Sequence, residues 1–409
     1  MSISRRTLAG IGAGALASTW PGAGSAQSAR PKIKLGIITD LSGPNRDNSE
    51  PSMACCRQAI QDFGAAERGF DVDVLIADHQ NRADVASGIA RRWFDEEGVD
   101  CLVDVSTSTT ALAVNSVARA KNKVMLVVGA ATSDLTGAQC SPNTIHWSYD
   151  TYMLAKAATA AVMGQNGRNW FFLGADYAFG HAMVRDASAF VTAGGGRVAG
   201  RVFYPFPATT DFSAYLLQAQ ASGAQVLALS QTGADTYNTI KQMREFGVDR
   251  RMRPVTLLMY ATEVHRLGLD AMKGVLLTES FYWDANARTR AFMDRIRSKT
   301  SHNWPSSAAA GVYSDTLHYL KAVADMGIPA AKADGAATVA RMKAMPTDDD
   351  VHGVGRIRSD GRKIHEVYLL EVKTPAESRG GWDLMKVVAT IPAEDAFRPI
   401  GEGNCALVR

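Results

Sequence analysis

Three stretches of this sequence place hydroxyl side chains directly behind apolar runs, which suits them to hydrogen bonding around a ligand. Residues 102–105 lead into Ser106-Thr107-Ser108-Thr109-Thr110, residues 124–128 into Gly129-Ala130-Ala131-Thr132-Ser133, and residues 33–38 into Thr39-Asp40-Leu41-Ser42-Gly43-Pro44. A single hydroxyl suffices to cap a helix. Five in succession exceed that need, and a Ser/Thr loop opening a helix offers both O–H and backbone N–H donors to an anion such as a carboxylate. The second half supplies other groups at comparable places: Asp176-Tyr177-Ala178-Phe179-Gly180, Gln231-Thr232-Gly233-Ala234-Asp235 and Phe281-Tyr282-Trp283-Asp284, each behind an apolar run. Aromatic rings in a core only fill space, whereas in a cleft they stack on an apolar or planar ligand.

Constellations for bond-breaking chemistry are missing. There is no G-x-S-x-G elbow, no H-E-x-x-H and no Walker loop. The glycines between Gly194 and Gly200 follow a helical pattern and precede a strand-like one, the reverse of a dinucleotide loop. The histidines are scattered, His146 and His265 read as ordinary surface or core residues, and Asp348-Asp349-Asp350 reads as a solvated loop. No cofactor or metal site is expected, and the chain reads as a non-enzyme.

The groups above need a scaffold, and the apolar pattern supplies one. Strand-like runs at 33–38, 72–76, 102–105 and 124–128 alternate with helical stretches at 51–63, 83–97 and 110–120. This spacing implies a parallel sheet covered by helices on both faces. The pattern restarts with helices at 152–163, 182–192, 212–221 and 236–246 and strands at 170–173, 198–203, 226–229, 255–258 and 275–277. Helices at 289–298 and 307–326 and strands at 367–372 and 384–388 follow. A chain of 409 residues exceeds one ordinary core. Two lobes, each discontinuous in sequence, are therefore expected, with ligands at the carboxyl ends of the strands.

The amino terminus reads as an address. Ser4-Arg5-Arg6-Thr7-Leu8, an Ala/Gly-rich stretch to Trp20 and the small residues Gly24-Ser25-Ala26 together resemble a twin-arginine export signal spanning residues 1–26. No later segment approaches the ~20 apolar residues of a membrane span. The formal charge is +3, two units of which lie in that leader, so there is no basic field for nucleic acid. A monomer in the periplasm is expected.

The run Ile33-Lys34-Leu35-Gly36-Ile37, Leu41-Ser42-Gly43-Pro44, Ser106 to Thr110, Ala130-Ala131-Thr132 and Asp176-Tyr177-Ala178-Phe179-Gly180 resembles the branched-chain amino-acid-binding (leucine/isoleucine/valine-binding) family of ABC importers. The resemblance covers about residues 31–375. It implies an α/β type I periplasmic binding fold, with two Rossmann-like lobes of parallel sheet joined by a three-stranded hinge. Residues 31–148 and 284–355 would form the N-terminal lobe, 149–283 and 356–390 the C-terminal lobe, and 391–409 a tail. It further implies a ligand carboxylate held by Ser106, Thr107, Ser108, Ala130 and Thr132, and transporter permeases as partners; the loops of the second half add Tyr177, Phe179 and Thr232 as candidate ligand contacts. Where amino-acid binders carry a tyrosine, Asn48 stands here, and where they carry an acid for the ammonium, Tyr260 stands, with Glu263 three residues later. A branched-chain amino acid and an aromatic acid both remain as ligand types. A ligand-sensing subunit of a receptor shares all these features. A two-domain hydrolase would add turnover.

Of the five cysteines, none forms a C-x-x-C pair. Cys140 lies in a polar loop near the first crossover, at Trp147 to Asp150, and Cys405 in a tail that would otherwise fray. Cys55 and Cys56 are helix neighbours, and Cys101 opens a strand. A Cys140–Cys405 disulfide is the pairing expected in an oxidising compartment.

Overall fold

The computed structural model describes residues 30–300 and 302–408. The twin-arginine leader expected over residues 1–26 lies outside the described residues.

Two parallel sheets form the frame. The first holds β1 (Lys32–Thr39), β2 (Asp71–Asp78), β3 (Cys101–Val105), β4 (Val124–Val127) and β5 (Thr144–His146) in the order β2-β1-β3-β4-β5. The second holds β6 (Asn169–Ala175), β7 (Arg197–Tyr204), β8 (Val226–Ser230) and β9 (Arg253–Thr256) in the order β7-β6-β8-β9. All pairings within both sheets are parallel. Their central strands are buried on both faces, which is why they read as continuous apolar runs rather than alternating ones. Each sheet separates two apolar cores, one beneath each helical layer.

Two small antiparallel sheets depart from the all-parallel expectation. One joins β10 (Leu276–Glu279), β14 (Val367–Val372) and β15 (Met385–Ile391). The other joins β11 (Thr347–Asp349), β12 (Gly353–Ile357) and β13 (Lys363–Ile364). The Asp348–Asp350 run is not a solvated loop. Asp349 is buried, accepting from Ser314 Oγ at 2.6 Å, and Asp348 and Asp350 pair with Arg288 at 2.6 and 3.0 Å.

Residues 147–150 carry the chain from the first sheet to the second, and Arg362 fastens that crossover. Fully buried, it donates to Trp147 O at 3.0 Å, Tyr149 O at 3.1 Å and Lys363 O at 2.9 Å. The ring of Phe397 lies 4.4 Å beneath its guanidinium. Three carbonyls, one ring and the Asp150 carboxylate 3.6 Å away replace the water that burial removes, the requirement for a charge in an apolar interior. Burial still lowers its pKa to about 10. The chain's last turn is tied down as well: Cys140 and Cys405 are joined by a disulfide with a Cα–Cα distance of 5.6 Å, and Cys55, Cys56 and Cys101 are free and buried.

Candidate functional site

Parallel strands point their carboxyl ends the same way, so helices that follow them begin on a common edge. Here the edges of the two parallel sheets face each other across a cleft. From the first sheet come the loop behind β1 with the short helix Arg46–Ser49, the loop behind β3 with the helix Ser108–Ala120, and Gly129 and Ala131 behind β4. From the second come Tyr177 and Phe179 behind β6, Thr232 behind β8, and Leu258 and Tyr260 behind β9. The walls are closed down on each other and leave a cavity of about 30 Å³ between them.

Glycine is needed on both sides of this arrangement. A Cβ on Gly180 would lie 1.9 Å from Ala175 O, so only glycine lets the helix Ala178–Ala193 start tight against the end of β6 and present Phe179 to the cleft. Gly233 has φ +63°, and its Cβ would meet Pro44 O of the opposite lobe at 2.3 Å.

The lobes are bonded together around the cavity. Ala234 N–H donates to Pro44 O at 3.0 Å, and Ala178 N–H to Thr109 Oγ1 at 3.2 Å. Asn48 Nδ2 donates to Glu263 Oε1 at 3.0 Å, and Thr262 Oγ1 to Asn48 Oδ1 at 2.5 Å. Glu263 also accepts the N–H of Gly233 at 3.0 Å and of Tyr260 at 2.9 Å. These bonds occupy its carboxylate, while burial raises its pKa. Tyr260 OH meets Tyr149 OH at 2.5 Å. At the rim, Arg266 pairs with Asp47 at 2.5 Å and Arg185 with Asp134 at 3.0 Å.

Of the residues singled out in the sequence, Asn48, Ser106, Thr107, Ser108, Tyr177, Phe179, Thr232 and Tyr260 line the cavity, and Ala130 and Thr132 do not. Ala130 packs into the core beneath the sheet, and its neighbour Ala131 faces the cleft. Thr132 turns its hydroxyl to Asp134 N–H at 3.4 Å, capping a short 3-10 turn. Residues that sequence reasoning missed include Asn45, Ser49, Asp104 and Leu258. Asp104 was the most visible of them, an acid inside the apolar run Cys101-Leu102-Val103-Asp104-Val105.

The hydroxyls of the β3 loop are largely spent inside their own lobe. Ser108 Oγ accepts Thr132 N–H at 3.1 Å, and Thr107 Oγ1 meets Thr110 Oγ1 at 2.9 Å. What the loop turns to the cavity is a bare helix start. Thr107, at φ +60°, gives the helix Ser108–Ala120 no side-chain cap, and the first of its N–H groups bonded within the helix is that of Ala111, to Thr107 O. The N–H groups ahead of it and the positive end of the helix dipole favour an anion. Two further polar atoms in the wall, Asn45 Oδ1 and Thr232 Oγ1, are buried without a partner among the described residues.

One contact resembles a catalytic pair and is not one. His79 Nε2 lies 2.9 Å from Ser106 Oγ, but His79 Nδ1 accepts the N–H of Asn81 at 2.9 Å. A neutral imidazole whose Nδ1 accepts carries its proton on Nε2, which therefore donates to Ser106 and cannot take its proton. Burial lowers the pKa of His79, keeping the ring neutral.

Known proteins share this fold. The chain is 44% identical to a periplasmic binding protein from Burkholderia mallei, covering 92% of this chain and 99% of that one with a TM-score of 0.88. It is 38% identical to a branched chain amino acid ABC transporter periplasmic ligand-binding protein from Burkholderia xenovorans LB400, with the same coverages and a TM-score of 0.78. It is 25% identical over 359 residues to the Leu/Ile/Val-binding protein homolog 6 of Brucella abortus (strain 2308), covering 83% of this chain and 87% of that protein. The periplasmic binding protein family profile matches residues 32–380, and the chain belongs to that family of two-lobed proteins that serve ABC transporters.

Proposed function

We propose that this protein captures a small organic carboxylate outside the cytoplasm, closes its two lobes around it and delivers it to the permease of an ABC importer, acting as a monomer and without chemical turnover. A branched-chain amino acid or an aromatic acid is the ligand class. The observation that carries this reading is the uncapped start of the helix Ser108–Ala120 on the wall of an interlobe cavity. Tyr177, Phe179, Leu258 and Tyr260 supply an apolar and aromatic surface opposite it for the ligand body. The relative from Burkholderia xenovorans, which serves branched-chain amino-acid transport, favours the same class. The fixed His79 tautomer argues against the hydrolase reading.

A thermal-shift screen tests the proposal. Ligand at ~100 times its dissociation constant stabilises the native state by about 2.7 kcal/mol. Stabilisation by L-leucine or 4-hydroxybenzoate, unchanged in mass after incubation, is the expected result. Stabilisation by sugars or metal ions alone would overturn it.

A further inference from the structure

The cavity wall contains one acid that the reading above leaves without a task. Asp104 is 2% exposed and stands at the end of β3, two residues before the hydroxyl loop. Its φ of +113° is a conformation that side-chain-bearing residues rarely hold, and such strain persists where the surroundings enforce it. Its hydrogen bonding is incomplete. Oδ1 accepts Gly129 N–H at 3.0 Å. Among the described residues Oδ2 has only Thr39 Oγ1 at 3.3 Å, and Thr39 has one proton with two nearer acceptors, Ser49 Oγ at 2.9 Å and Ser106 Oγ at 3.0 Å. A buried carboxylate is held ionised by several donors or by a cation. Among the described residues no Lys, Arg or His lines this cavity.

The groups packed around Asp104 add no positive charge. From the helix Ser307–Met326 behind it, Asp315 is fully buried, and burial raises its pKa. From the crossover, Tyr149 is neutral because burial raises its pKa. His79 Nε2 and the backbone N–H of Asp40 meet Ser106 Oγ, at 2.9 and 3.1 Å. Lys363 acts on Asp315 from the far side.

We propose that Asp104 binds the ligand as a neutral carboxylic acid, its O–H donating to the carboxylate held at the start of the helix Ser108–Ala120, so that capture takes up one proton. The proton comes from solvent and joins Asp104 oxygen, the new bond is O–H···O⁻, and no bond of the ligand breaks. Burial already brings the Asp104 pKa up to about 7. An arriving anion raises it further, as when two carboxyls share a site. Asp104 thereby becomes a specificity residue, favouring a ligand that brings a bare carboxylate over one that brings a cation. This inference rests on the carboxylate reading.

Calorimetric titration of the protein with L-leucine and 4-hydroxybenzoate at pH 6.5, 7.5 and 8.5, each in phosphate and in Tris, counts the protons exchanged. Asp104→Asn is the partner variant, since asparagine tolerates positive φ and its Nδ2 replaces the O–H as donor. The expected result is uptake approaching one proton at pH 8.5, with affinity falling about tenfold per pH unit above pH 7.5. In Asp104→Asn both effects vanish. Binding without proton exchange, proton release as for an ammonium on an ionised Asp104, or pH dependence that survives in Asp104→Asn overturns the proposal and leaves the carboxylate reading standing. If neither probe binds at any pH, the carboxylate reading fails and this inference falls with it.

Discussion

Gly233→Ala is the substitution that separates closure of the lobes from folding. The added methyl would stand 2.3 Å from Pro44 O and 2.7 Å from Asn45 Oδ1, both across the cleft, so the lobes must part by roughly an ångström. At that separation the Ala234 to Pro44 hydrogen bond at 3.0 Å is lost, worth about 1 kcal/mol. The Asn48 to Glu263 bond, also 3.0 Å, weakens with it, and a bond to a charged group is worth about 1.5–3 kcal/mol. Together the closed state loses roughly 2–4 kcal/mol, a 30- to 1000-fold loss of affinity. The strain of a side chain at φ +63° acts on open and closed states alike, so it lowers the melting temperature without entering the affinity. Calorimetric titration with the ligand found by thermal shift, beside small-angle scattering of the bound form, reads both consequences. A dissociation constant within threefold of the wild type, with a bound form as compact, would refute the reasoning, because it would mean that the Gly233–Pro44 contact is not part of the closed state.

Three further outcomes are expected. Thr132→Val removes a cap that lies outside the cavity, so stability should fall by about 0.5–1 kcal/mol in urea unfolding while affinity stays within twofold; a tenfold loss of affinity would place its hydroxyl on the ligand. Asp235 is buried, and desolvation raises its pKa to about 7 against the opposing hydrogen bond that Tyr204 OH donates to it at 2.7 Å. Between its unfolded value and pH 7 the unfolded chain gives up this proton first, so stability falls as pH rises through that window and levels off above it. Asp235→Asn should therefore gain over the wild type from pH 4 to pH 7, by up to about 4 kcal/mol, and a pH-independent difference would exclude the linkage. Cys405→Ser opens a loop of 265 residues and should cost about 2–5 kcal/mol in non-reducing unfolding, with equal stability of variant and wild type in dithiothreitol as the check.

The frame was legible because parallel strands covered on both faces must be apolar throughout, and β1, β3, β4, β6 and β8 announce themselves that way. The helix Ser307–Met326 and strand β14 fall where their patterns put them. Three-residue β5, Thr-Ile-His, and the polar β11 carry no periodicity to detect, and tertiary pairing alone makes them strands. Asp349 looked like a loop acid because its partner Ser314 lies 35 residues away. In the site, hydroxyl content marked the β3 loop correctly as a wall, but not which atoms face inward. Ser108 and Thr107 spend their hydroxyls locally and leave the backbone to face the cavity. Behind β4 the inward residue is Ala131 rather than Ala130, a displacement by one that composition cannot register. Asn48 was legible as a cleft residue, while its bond to Glu263 joins positions 215 apart that only the folded chain brings together.

The bond between Cys140 and Cys405 also fixes an order of events. Its second thiol is synthesised 265 residues after its first, near the end of the chain, so no ribosome-bound nascent chain still short of Cys405 can close this link. The loop that holds Cys140 must wait, reduced, while both lobes are made. Closure of this one covalent bond therefore reports that synthesis has passed Cys405, readable by a gel shift after thiol trapping.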